Sequence, residues 1–152
     1  MKKNRNNTIY KPNSYYHIYN RGNHKKNIFL QEKDYKVFRG LMYKYLRKYK
    51  ILLVAYCYLP NHYHFVFKCA DNWQVIPKLM GAFMTSYVMY FNRKYSKVGH
   101  LFQGPFGVRR IVGNKDLHGV IAYLRRNPVE AGLVSEENVD SYQWLHIRKQ
   151  IP

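Results

Sequence analysis

The spacing of apolar residues predicts three helices in this chain of 152 residues. Over residues 32–49 and again over 75–95, apolar side chains recur every three or four positions, which is the period of a helix with one buried face. A third helix is predicted to end near Arg126 and to begin at Asn114 or Asp116, because either side chain can cap a helix.

Shorter apolar segments predict four β-strands, over residues 15–20, 51–58, 62–69 and 108–112. The Pro60-Asn61 pair separates the second strand from the third and predicts a hairpin between them. The order of elements is therefore β-α-β-β-α-β-α. It predicts an α+β fold of the ferredoxin-like type, an antiparallel sheet with helices mainly on one face, followed by a C-terminal helix.

The net charge of the chain is far more positive than is usual for a domain of its size. There are 26 Lys and Arg residues against 8 Asp and Glu, which gives a net charge of +18. Residues 1–13 are expected to form a flexible basic arm, and residues 14–152 a single domain. Because such a charge opposes folding by self-repulsion, it predicts a polyanionic partner such as nucleic acid. The alternative is a basic surface that serves solubility.

The cysteine count and the hydropathy argue against zinc-ribbon, disulfide-rich and membrane proteins. The two cysteines do not form a Cys-x-x-Cys pair, so neither a zinc ribbon nor a disulfide framework is expected. No apolar run approaches about 18 residues, and the first residues lack an apolar signal segment. A cytoplasmic protein without membrane contact is expected.

Two histidines provide the first candidate chemistry. His62 and His64 are two apart on a predicted strand, so their side chains share one face and could hold a divalent metal ion. Tyr123 and Asn127 share a helix face in the same way, and Pro128 is expected to end the helix beside them. Tyr123 could be a nucleophile and Asn127 a metal ligand. Alternatively, the tyrosine packs in the core and the asparagine caps the helix.

Several segments resemble one known family. Residues 59–64 (Leu-Pro-Asn-His-Tyr-His) resemble the His-hydrophobic-His motif of the HUH superfamily of single-strand nucleases, and the whole pattern resembles the REP-associated tyrosine transposases. The other matching segments are residues 16–23 (Tyr-His-Ile-Tyr-Asn-Arg-Gly-Asn), 99–104 (Gly-His-Leu-Phe-Gln-Gly), Tyr123 and 127–133 (Asn-Pro-Val-Glu-Ala-Gly-Leu). They occur in the family's order.

The resemblance implies a ferredoxin-like fold and a DNA transposase or nickase that cleaves and rejoins single-stranded DNA through a 5′-phosphotyrosine. It also implies that His62, His64 and Asn127 bind Mg²⁺ or Mn²⁺ and that Tyr123 is the nucleophile. The implied partner is single-stranded or hairpin DNA, bound by a monomer or a homodimer. The arginines expected to contact DNA are Arg21, Arg109, Arg110, Arg125 and Arg126.

Two other functions compete with this interpretation. One is a catalytically inactive or domesticated basic module that binds nucleic acid with the same fold. The other is a zinc-dependent hydrolase that uses His62 and His64. The hydrolase is disfavoured because no acidic general base lies near the two histidines in the sequence.

Overall fold

A five-stranded antiparallel sheet forms the centre of the protein. In a computed structural model, which describes residues 10–70 and 75–152, the strands follow the order β4-β1-β3-β2-β5. The strands are β1 (Ser14–Arg21), β2 (Leu52–Leu59), β3 (His62–Cys69), β4 (Gly107–Ile111) and β5 (Leu145–Ile147). The helices are α1 (Glu32–Tyr49), α2 (Val75–Tyr95) and α3 (Gly113–Glu130), with short 3-10 helices at Asn23–Lys25 and Glu136–Ser141.

The predicted α+β fold is confirmed, and the fifth strand extends it. Leu59 pairs with His62 across the Pro60-Asn61 turn, so β2 and β3 form the expected hairpin. β5 pairs with the outer edge of β2 and was not predicted. Part of the basic arm, residues 1–9, lies outside the described residues. In the remainder of that segment, Tyr10 packs on the Tyr16 ring.

The two faces of the sheet carry separate hydrophobic cores. Helices α1 and α2 cover one face, and helix α3 covers the other. Because side chains alternate along a strand, Tyr63 and Phe65 of β3 enter the larger core, whereas His64 and Val66 lie on the α3 side. The α3 residues buried in the second core are Leu117, Val120 and Leu124. This packing fixes α3 across the same face that carries the two histidines.

Both ends of α3 differ from the prediction. The helix begins at Gly113, and neither Asn114 nor Asp116 is its N-cap; instead the Asp116 carboxylate accepts a hydrogen bond from the Val112 amide at 2.9 Å. At the other end, the helix continues through Pro128 to Glu130. The proline removes one amide hydrogen, but the Ala131 amide still bonds to the Asn127 carbonyl at 3.0 Å, so the last turn closes.

A buried carboxylate joins the start of α1 to the end of α2. The side chain of Asp34 is fully buried and accepts bonds from the Lys94 ammonium at 2.7 Å and from the hydroxyls of Tyr90 and Tyr95 at 2.8 and 2.6 Å. The backbone amides of Leu30 and Gln31 also donate to it. Five donors therefore surround one carboxylate between the two helices.

Within the described residues, no helix is both long enough and apolar enough to span a membrane.

Candidate active site

The structure brings His62, His64, Tyr123 and Asn127 together between β3 and α3. The Nε2 atom of His62 lies 3.3 Å from the Oδ1 atom of Asn127. The ring of Tyr123 meets the ring of His64 edge to face, with centroids 5.3 Å apart. The i, i+4 spacing places Tyr123 and Asn127 on the same side of α3, and the alternation of β3 places both histidines beneath them.

Two asparagines fix the orientation of His62. The side-chain amide of Asn61 donates to the Lys25 carbonyl at 3.3 Å, and that of Asn127 donates to the Tyr123 carbonyl at 2.8 Å. Each asparagine therefore presents its Oδ1 atom to the imidazole, Asn61 to Nδ1 at 2.7 Å and Asn127 to Nε2. A neutral imidazole has one N–H group and cannot donate to both oxygens. The shorter contact favours the hydrogen on Nδ1, and in that tautomer the lone pair of Nε2 faces the Asn127 oxygen.

His64 is the more deeply buried of the two histidines, with 3% of its surface exposed. Burial holds its pKa well below the usual value, and the neighbouring His17 and His62 lower it further. Its Nε2 atom has no hydrogen-bond partner among residues 10–70 and 75–152. Burial, together with Arg21, lowers the pKa of His62 as well, while the contact with Asn127 opposes this shift. Both side chains are therefore neutral imidazoles near neutral pH, the form that binds metals.

A cavity of about 330 Å³ opens beside these side chains. Besides His62, His64 and Tyr123, it is lined by Tyr19, Asn20, Arg21, Asn61 and Gln103. Arg21 places a guanidinium on the wall, where Nε and Nη2 donate to the Gln103 side-chain oxygen at 3.2 and 2.9 Å. The cavity therefore combines neutral imidazoles, a phenol and a cation, which are groups that suit a phosphodiester.

The arginines expected to contact DNA lie in different surroundings. Arg109 and Arg110 are adjacent on β4, so their side chains point to opposite faces of the sheet. The two terminal nitrogens of Arg109 bind the carboxylate of Asp116 at 2.8 and 3.0 Å. Of the two β4 arginines, only the side chain on the α3 face can share a surface with the site, and Arg109 occupies that position because it pairs with His17.

The two arginines of α3 also have acidic partners. Arg125 binds both carboxylate oxygens of Asp140 at 2.5 and 3.2 Å and so links α3 to the second 3-10 helix. Arg126 lies 3.9 Å from Glu130 on the same helix and is exposed. A phosphate would have to compete with a bidentate carboxylate at Arg125 but with only a loose, solvated pair at Arg126.

A comparison with protein-family models decides the family. The model described as "Transposase IS200 like" matches residues 10–127, more than half of the chain. The chain belongs to the IS200-like transposase family. The matched segment contains His62, His64, Tyr123 and Asn127. Membership supports a DNA transposase function.

Solved structures show the same fold. One is described as the REP-associated tyrosine transposase bound to a REP hairpin; it is 18% identical, with a TM-score of 0.75, over 95% of this chain and 82% of that one. Another, from Deinococcus radiodurans R1 and provisionally assigned as a transposase, is 17% identical with a TM-score of 0.53, over 83% of this chain and 97% of that one. No curated protein matches the sequence.

HUH-type transposases generally use a divalent metal ion, and the donor atoms of this transposase fit one. His62 Nε2 and Asn127 Oδ1 face each other as two lone pairs at 3.3 Å, and neighbouring ligands of an octahedral Mg²⁺ or Mn²⁺ lie about 3 Å apart. The buried Nε2 of His64, which has no hydrogen-bond partner in the described residues, would be a third donor. Across the described part of the chain, no group of three or more His, Cys, Asp or Glu side chains could hold a metal, so a metal bound by the two histidines would need a donor of another kind, such as the Asn127 amide oxygen.

Sequence reasoning assigned no role to several residues around the transposase site. Tyr19, Asn20 and Gln103 line the cavity, and His17 lies 3.0 Å from His64. Burial lowers the pKa of His17 to about 4, with Arg109 adding to the effect. A signal for two of them was present, because residues 17 and 19 repeat on β1 the alternation of His62 and His64. Only the pairing of β1 with β3, in which Tyr19 lies opposite His64, brings them to the site.

Gly107 leaves room for the cavity wall formed by Tyr19. A Cβ atom at this position would overlap the Tyr19 ring. We expect Gly107→Ala to lower the free energy of unfolding by about 1–3 kcal/mol, because buried overpacking displaces side chains. The matched control is Gly119→Ala on α3, where a Cβ meets nothing within 4 Å and alanine should stabilise the helix by about 0.5–1 kcal/mol. Urea denaturation of both variants measures the difference. Equal free energies of unfolding for the two variants would contradict the close approach of Gly107 to the Tyr19 ring.

Proposed function

We propose that this transposase cleaves and rejoins single-stranded DNA, with Tyr123 as the nucleophile and with His62, His64 and Asn127 as the ligands of a divalent metal ion. The observation that carries the proposal is that Tyr123 lines one cavity with both histidines, while the amide oxygen of Asn127 lies 3.3 Å from Nε2 of His62. These groups come from two elements that are held together by the core between α3 and the sheet.

The reaction needs no energy source besides the DNA. The Tyr123 hydroxyl loses its proton as its oxygen bonds to the phosphorus, the bond from phosphorus to the 3′ oxygen breaks, and the departing oxygen takes up a proton. The products are a 5′-phosphotyrosine and a free 3′-hydroxyl. Because the phosphotyrosine retains a phosphodiester, a 3′-hydroxyl of another strand can attack it and restore both the DNA linkage and the tyrosine.

Each side chain of the site has a distinct task in this reaction. His62, His64 and Asn127 would hold the metal, and Arg21 would bind a non-bridging phosphate oxygen from the cavity wall. When bound, Mg²⁺ or Mn²⁺ supplies Lewis-acid stabilisation of the charge that develops on the phosphate. Since imidazole is a softer ligand than Mg²⁺ prefers, Mn²⁺ should bind more tightly in vitro.

The substrate class follows from charge and from the structural neighbour. A net charge of +18 favours a polyanion, and the neighbouring transposase structure is described as bound to a REP hairpin. We therefore propose single-stranded DNA that carries a hairpin as the substrate. Binding should weaken steeply with salt, because each phosphate contact releases counterions.

The test is the capture of a covalent adduct. The wild-type protein is incubated with Mn²⁺ and a pool of labelled oligonucleotides, each with one hairpin and randomised flanks. We expect an adduct that survives denaturing electrophoresis and maps to the tryptic peptide containing Tyr123. Salt-sensitive binding without any adduct would instead establish the inactive nucleic-acid-binding module. Absence of binding would contradict both functions.

A further inference from the structure

A third histidine lies behind the proposed ligands. His17, on β1, is 1% exposed, and its side chain is on the α3 face of the sheet beside His64. Its Nε2 atom lies 3.0 Å from Nδ1 of His64; the ring centroids are 5.2 Å apart and the ring planes are inclined by 27°, so the two rings meet edge to edge. This contact uses Nδ1 of His64 and leaves the other ring nitrogen, Nε2, without a partner in the described residues.

The position of the ring hydrogen on His64 decides whether this contact leaves its Nε2 atom as a donor or as a lone pair. In the first arrangement, His17 donates to Nδ1 of His64, and His64 carries its own hydrogen on Nε2. That hydrogen would be a buried donor without an acceptor among the described residues, which is unfavourable. In the second arrangement, His64 donates from Nδ1 to His17. Nε2 of His64 is then a lone pair, the form that a metal requires.

We propose that His17 is a positioning residue, which accepts the Nδ1 hydrogen of His64 and thereby keeps the Nε2 lone pair available to a divalent metal ion. The proposal rests on the proposed function for the role of the metal. The position of the hydrogen on His64 is a property of the metal-free protein and can be tested separately.

The other proposed ligand is held in the same way. Nδ1 of His62 bonds to Asn61 at 2.7 Å, so both histidines have Nδ1 bonded to the protein, while Nε2 faces Asn127 in His62 and has no partner in the described residues in His64. A partner of this kind fixes the ring and raises its basicity as a ligand, and its loss typically weakens metal binding about 10- to 100-fold. At the half-buried start of β3 the partner of His62 is the Asn61 amide, and deeper in the sheet the partner of His64 is His17.

The surroundings of His17 hold its ring in place. It packs against Tyr19 with centroids 5.1 Å apart and against Tyr123 at 6.1 Å. On the neighbouring strand it pairs with Arg109, whose guanidinium is held by Asp116. The ring therefore has little freedom to turn away from His64, and the acceptor is preorganised.

The first experiment measures the hydrogen directly in the metal-free protein. Long-range ¹H–¹⁵N NMR on histidine-labelled protein distinguishes the two neutral tautomers, and His64→Gln assigns the signal. We expect the Nδ1–H tautomer of His64 in the wild type and a shift toward Nε2–H in His17→Phe, which keeps a ring but has no acceptor. Finding Nε2–H in the wild type would overturn the proposal.

The second experiment measures the affinity for Mn²⁺ by electron paramagnetic resonance. We expect a loss of about 10- to 100-fold for His17→Phe. His17→Gln should retain wild-type affinity, because its side chain can place an oxygen near the former Nε2 position. His17→Asn is the matched control, since it is polar but too short to reach His64. Wild-type affinity in the Asn or Phe variant would contradict the assigned role.

The two experiments separate this proposal from the proposed function. If the wild type binds no Mn²⁺, the metal centre fails, while the NMR result still decides whether His17 sets the tautomer of His64. Thermal unfolding of each variant accompanies both measurements. A loss of fold in His17→Phe leaves the comparison of His17→Gln with His17→Asn to decide the question.

Discussion

Tyr123→Phe is expected to abolish the covalent protein–DNA adduct and to leave the fold intact. The substitution removes the hydroxyl and keeps the ring that packs against His64 and His17 at 5.3 and 6.1 Å. Loss of a nucleophile should lower the rate of adduct formation by at least about a thousandfold. DNA affinity should be unchanged, because the basic surface is unaltered. Denaturing gels measure the adduct, and fluorescence anisotropy measures binding.

Tyr19→Phe is the matched control for that result. Tyr19 lines the same cavity, and its ring lies 6.2 Å from His64. Burial raises the pKa of its phenol, with Arg109 opposing the shift, so its hydroxyl is harder to ionise than an exposed phenol. We expect this variant to form the adduct. If the adduct persists in Tyr123→Phe and disappears in Tyr19→Phe, the nucleophile is Tyr19 on β1 rather than Tyr123.

Asp34→Asn is expected to lower the free energy of unfolding by about 3 kcal/mol, the range seen when one partner of a buried ion pair is removed. The substitution places an NH₂ group among five donors and leaves the Lys94 ammonium without its carboxylate. Glu32→Gln, in the same turn of α1, is the control because its pair with Lys36 is exposed. Urea denaturation should show a large loss for Asp34→Asn and little change for Glu32→Gln.

The pH dependence gives an independent check on Asp34. Burial tends to raise the pKa of this carboxyl, but the bonds from Lys94, Tyr95, the Leu30 amide and Tyr90 outweigh it and hold the pKa at about 2, against 3.8 in the unfolded chain. The resulting stabilisation is present above 3.8 and is lost as the pH falls toward 2. It amounts to at most about 2 kcal/mol, given solvent screening at Lys94. The Asp34→Asn variant should lack this loss.

Local patterns in the sequence predicted most of the fold. The bounds of α1 and α2 follow from apolar periodicity, because both helices bury one face in the larger core. The Pro60-Asn61 turn predicted the β2–β3 hairpin and its face alternation. The strand β5 was missed because it has three residues and only pairs with an edge. Pro128 was expected to end α3, yet a proline in the last turn removes just one amide and the helix closes around it.

Less of the candidate site than of the fold could be predicted from the sequence. The i, i+2 and i, i+4 spacings of the His62/His64 and Tyr123/Asn127 pairs predicted which side chains share a face. The contact of His17 with His64 depends on the register between β1 and β3, which no local pattern contains. The pairing of Arg125 with Asp140 depends in the same way on a tertiary contact that forms only when the chain folds back on α3.

The placement of α3 over its own sheet has a consequence for the order of events on DNA. Leu117, Val120 and Leu124 bury the helix against the strands of the same chain, so the proposed nucleophile Tyr123 meets the proposed ligands of its own polypeptide, and each proposed site holds one copy of that tyrosine. Such a site can retain a single broken end at a time. Under the proposed mechanism, cutting and joining would therefore alternate at each site, and the first severed strand would be resealed or passed to a new acceptor before that site opens another strand.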